Sequence, residues 1–84
     1  MIWFVVTDLP LDYAQARQWN THVIHGYRGH GWTQPVLVLE VDEDTALSIL
    51  VAAYQVARSV RLCASADQAR ALALSVTTTG DWGE

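Results

Sequence analysis

Apolar and polar positions divide the chain into six regular segments. Residues 2–6 (Ile-Trp-Phe-Val-Val) are unbroken apolar and rich in aromatic and β-branched types, which predicts a strand covered on both faces, as at the centre of a layered sheet. Asp8-Leu9-Pro10 ends it. Over 11–25, Tyr13, Ala16, Trp19, Val23 and Ile24 fall on one side at helical spacing, with Gly26 placed to cap the helix. A loop with three glycines follows over 26–35. Val36-Leu37-Val38-Leu39 predicts a second buried strand running on to Val41. Asp42-Glu43-Asp44 then opens a helix over 45–57. In that helix Leu47, Leu50, Val51 and Tyr54 make one stripe, and Ile49, Ala53 and Val56 extend it around the cylinder. Such a helix needs covering on two sides, the second by a neighbouring subunit. Val60-Arg61-Leu62-Cys63 alternates like a half-buried edge strand. Ser65 caps a last helix at 66–75 that buries Ala69, Leu72, Ala73 and Val76.

The order βαβαβα predicts a small three-layer α/β domain over residues 1–76. Its sheet is mainly parallel, its strand order is 2-1-3, and residues 77–84 form a flexible tail. The alternative is a ferredoxin-like α+β fold. It requires a further strand within 26–34, where three glycines oppose one.

Length and charge narrow the function. Eighty-four residues suffice for one domain, and 51% hydrophobic content excludes disorder. The net charge is −4, with no lysine, so a direct nucleic-acid partner is not expected. No apolar run is long enough for a membrane span, and the first residues lack the basic stretch of a secretory signal. A single cysteine permits no internal disulfide and points to a reduced, cytoplasmic protein. Four tryptophans in so small a chain imply apolar surface covered by a partner or a second copy.

In a parallel sheet, ligands bind beyond the carboxyl ends of the strands, here Thr7-Asp8, Glu40 to Thr45 and Cys63 to Ser65. Three acids, Asp8, Asp42 and Asp44, are candidate oxygen ligands for Mg2+, or else helix caps. His22 and His25, three apart on the predicted helix, and His30 beyond it are candidate Zn2+ ligands, or else polar surface. Cys63, ahead of a helix N-terminus, is a candidate nucleophile or a small buried hydrophobe. No motif for a dinucleotide, phosphate loop or catalytic triad occurs, so no cofactor is expected. Tyr27, Trp32 and Trp82 lie in the predicted loop and tail, where aromatic residues anchor interfaces.

Two stretches resemble the STAS domain, the family of anti-sigma-factor antagonists and sulfate-transporter cytoplasmic domains. They are Val5-Val6-Thr7-Asp8-Leu9-Pro10-Leu11-Asp12 and Thr45 to Val76. The resemblance implies that Asp44-Thr45 stands at the family's phosphorylatable pair and that the partner is similar to an anti-sigma kinase. Phosphate on Thr45, beside Asp42, Glu43 and Asp44, would repel that partner. The chain is thus expected to be a non-catalytic protein–protein interaction module, binding through Tyr27, Trp32, Asp44, Thr45 and Trp82. Its expected partners are a basic protein and a second copy of itself. Two alternatives are a small acidic inhibitor or immunity-type protein, and a metal-binding enzyme using the sheet-edge carboxylates.

Overall fold

In the computed structural model, residues 1–10, 22–29 and 35–82 are described. Four strands and two helices lie among them: β1 (Ile2–Thr7), β2 (His22–Tyr27), β3 (Val36–Asp42), α1 (Glu43–Gln55), β4 (Val60–Cys63) and α2 (Ala66–Thr79). The strands form one sheet in the order β2-β3-β1-β4. β1 is interior, but each of its neighbours runs against it: β3 pairs with Val5 opposite Leu39, β4 with Val5 opposite Leu62. β2 is also antiparallel to β3.

The parallel α/β arrangement with order 2-1-3 is therefore wrong, and the domain is α+β. The error arose at residues 22–25. Their apolar members fit a helical arc, yet His22-Val23-Ile24 carries two β-branched residues, and the segment pairs with β3 instead. A bulge between Val23 and His25 breaks its period-2 pattern. Only one of the three loop glycines enters this strand. At Gly26 the Leu37 side chain stands 3.5 Å from where a Cβ would lie, an ordinary contact. The rest of the predicted helix at 11–25 falls outside the described residues.

The apolar runs in β1 and β3 have a different cause from a parallel sheet. Alternate residues feed two separate cores. Val5, Leu37, Leu39 and Val41 face α1 through Ala46, Ile49 and Ala53. Val6, Val36 and Val38 face α2 through Ala69, Ala73 and Val76. Strand parity puts the helices on opposite faces, so the sheet is covered twice although it is antiparallel. Val5, Val6, Val36, Val38 and Ile49 have no exposed surface.

The helix ends follow side-chain chemistry. The Asp42 carboxylate accepts from the Thr45 N–H at 2.8 Å, and the Ser65 hydroxyl accepts from the Gln68 N–H at 3.2 Å. α2 runs on to Thr79 before the left-handed Gly80 (φ 75°) stops it, so residues 77–79 are helix and not tail. Trp82 then packs against the α2-side core. α1 closes differently. The Arg58 N–H reaches the Ala53 carbonyl at 2.8 Å and the Ala57 N–H the Tyr54 carbonyl at 3.3 Å, which is a Schellman motif. Its left-handed position is filled by Ala57 (φ 56°), not glycine.

These two caps predict opposite signs. Ala57→Gly relieves the left-handed alanine and is expected to stabilise by about 1 kcal/mol, while Gly80→Ala is expected to destabilise by about the same amount. Urea unfolding of both variants checks this.

Candidate functional site

α1 turns its small side chains inward. Ala46, Ile49, Ala52 and Ala53 are buried, whereas Leu47, Leu50, Val51 and Tyr54 are 51%, 38%, 56% and 87% exposed. The exposed residues recur at i, i+3, i+4 and i+7, so they form one stripe along the helix. The expected two-sided helix is thus present in pattern, but its inner side is built mostly of alanine and its larger aliphatic and aromatic residues face outward.

That stripe borders a groove at the sheet edge. Leu50, Val51, Tyr54 and Gln55 line one wall, Arg58 to Arg61 the floor, and Trp82 the far side, around about 1020 Å³. The floor is the outer edge of β4, which pairs only with β1 among the described residues. The Asp8 N–H donates to the Ser59 carbonyl at 3.4 Å. By the alternation of an antiparallel ladder, Val60 and Leu62 therefore aim their N–H and C=O groups outward. The Arg61 guanidinium donates to the Val60 carbonyl at 2.8 Å, as that orientation allows.

A polar clamp fixes the groove's floor. Buried Thr7 donates its hydroxyl to the Ser59 carbonyl at 2.7 Å and accepts from the Leu9 N–H at 3.1 Å. The Asp8 carboxylate accepts from the Ser59 N–H at 2.9 Å, and its other oxygen lies 3.9 Å from Arg58. The left-handed Ala57 turns the chain so that Arg58 and Ser59 meet this clamp.

The residues singled out from sequence are scattered by the antiparallel sheet. Asp8 ends β1 beside the start of β4. Asp42 pairs with Ile2 at the opposite end of the sheet, about 20 Å away along the strand. Asp8 therefore does not share a site with Asp42 and Asp44: it caps Ser59, and Asp42 caps α1. Asp44 and Thr45 occupy the first turn of α1, at the far end of that helix from the groove. His22 and His25 lie on β2 rather than on a helix, opposite Glu40 and Val38, so helical spacing does not bring them together. His30 and Trp32 lie outside the described residues. Among those described, no three His, Cys, Asp or Glu side chains converge.

Of the two described aromatic candidates, Tyr27 packs partly buried against the α2-side core, and Trp82 reaches the groove. Cys63 is buried, and burial raises its thiol pKa, which opposes nucleophilic reactivity. Sequence reasoning missed the clamp, although Thr7-Asp8 and Arg58-Ser59 both sat at predicted strand ends. It also took the Leu47 stripe as continuous with the core.

Hydrogen bonding from Thr45 lowers the Asp42 carboxyl below its ordinary 3.8. A depressed folded-state value means that this cap contributes fully above the unfolded value and is lost as pH falls through the folded one. The stability gap between the wild type and Asp42→Asn is therefore expected to close as pH drops from neutral to about 2, measured by urea unfolding across that range. Thr7→Val removes a buried hydroxyl and leaves the Leu9 N–H without its acceptor, so a loss of about 1–3 kcal/mol is expected in the same assay.

No helix among the described residues is long and apolar enough to cross a membrane. No family model matches the chain, no curated protein matches it, and no solved structure matches its fold.

Proposed function

We propose that this chain is a non-catalytic protein-binding domain whose docking surface is the α1 stripe with the adjoining groove at the β4 edge. One observation carries the reading: α1 buries alanines and exposes Leu47, Leu50, Val51 and Tyr54 in a continuous row. Exposing such a row costs free energy that covering it recovers, about 25 cal/mol for each Å² removed from water. Tyr54 and Trp82 flank the groove as aromatic anchors, the type enriched where binding energy concentrates. The outward N–H and C=O groups of Leu62, unpaired among the described residues, add a backbone template that accepts an incoming strand. Buried Cys63 fits a reducing compartment, and we place the domain in the cytoplasm.

A photo-crosslinking residue at position 54, introduced in the cells the chain comes from, tests this reading. Crosslinking to a species of defined mass is expected from position 54 and not from exposed Thr78 on α2. Equal yields at the two positions, or none from position 54, would remove the reading.

A further inference from the structure

The geometry points to a second copy of this chain as the occupant of the docking surface: β4 pairs antiparallel with β4 of its partner about a twofold axis, joining the two sheets edge to edge. This rests on the docking reading above and names its partner.

Three features favour a self-complementary fit. The first is strand register. Leu62 aims its N–H and C=O groups outward, so an axis at Leu62 lets the two copies exchange a pair of backbone hydrogen bonds there. It places Arg61 opposite the partner's Cys63. An axis at Arg61 would set two arginines face to face, so the Leu62 register is preferred.

The second is helix spacing. α1 lies over β1, with β4 on one side and β3 on the other, about one strand spacing inside the edge. With strands about 4.8 Å apart, two such helices across the new seam stand about 14 Å apart, a gap that large side chains such as Leu50 and Tyr54, which already border the β4 edge, are needed to bridge. The twofold makes them antiparallel on the same side of the joined sheet.

The third is sequence complementarity along α1. An axis between residues 50 and 51 sets Leu47 opposite the partner's Tyr54 and Leu50 opposite the partner's Val51. The same axis sets Glu43 opposite the partner's Arg58. The first turn of α1 is acidic, with Glu43 and Asp44, and its last turn has no basic residue; Arg58 just beyond supplies the missing charge. Its link to Asp8 is long, 3.9 Å, and its side chain is 39% exposed, which leaves it able to engage a second acid. Strand pairing, apolar stripe and charge thus agree on one axis.

Light scattering and sedimentation of the full chain over a concentration series test this. A monomer–dimer equilibrium is expected, and the Leu62 amide should exchange with solvent more slowly as concentration rises. Tyr54→Glu, at a site 87% exposed, should keep the fold by circular dichroism and weaken association at least about tenfold, the scale of losing one buried aromatic anchor. Glu43→Arg and Arg58→Glu should each weaken it, and the double variant should recover part of the loss. A monomer at millimolar concentration would overturn the proposal, as would a dimer indifferent to Tyr54→Glu and to both charge reversals. A monomer that still crosslinks through position 54 to a different chain would leave the docking surface standing and remove the second copy as its occupant.

Discussion

Covering both faces of β1 and β3 is the constraint on which the rest of the structure depends. The neighbouring pairs Val5-Val6 and Leu37-Val38 send side chains alternately to two cores, and each core requires its own helix. One chain of 84 residues has little material for this. Its helices solve the problem with alanine: Ala46, Ala52 and Ala53 on α1, Ala69 and Ala73 on α2. Small residues let a helix lie close to the sheet, so each core fills with strand side chains. The larger side chains of α1 are then left without room inside. The exposed stripe is thus a consequence of how the core was built.

That dependence also explains what could be read from the sequence. Strand positions at β1, β3 and β4 and both described helices follow from local signals: apolar runs, Asp42 and Ser65 as caps, alternation in Val60–Cys63. Strand direction does not. An apolar run reports that two faces are covered, and it is silent on whether a neighbour runs with it or against it. Parallel sheets are the common case with two covered faces, so the inference failed in the less common one. The second strand failed for a different reason. Val23 and Ile24 satisfy both a helical arc and a strand, and only the pairing of Val23 with Leu39 and of His25 with Val38 on β3 decides between them.

The candidate chemistry fell with the strand direction. Asp8 and Asp42 would share one rim only if all strands pointed the same way; reversing β3 sends Asp42 to the other end. What replaced that rim was assembled from residues with unremarkable individual signals. Thr7, Asp8, Arg58 and Ser59 become a clamp only once β1 and β4 are adjacent, and Trp82 reaches the groove only because Gly80 ends α2 there. Contacts between residues about fifty positions apart leave no periodic trace in a chain.

Arg61 spans its own peptide to the Val60 carbonyl, on an edge strand of only four residues. A cation at a short border is a gatekeeper against runaway stacking into amyloid, because each added chain would have to displace it and bury its charge. Backbone pairing there is too brief to hold a stranger by itself. Any lasting association must draw on α1 as well, and a segment lacking a matching apolar ridge is turned away at the border.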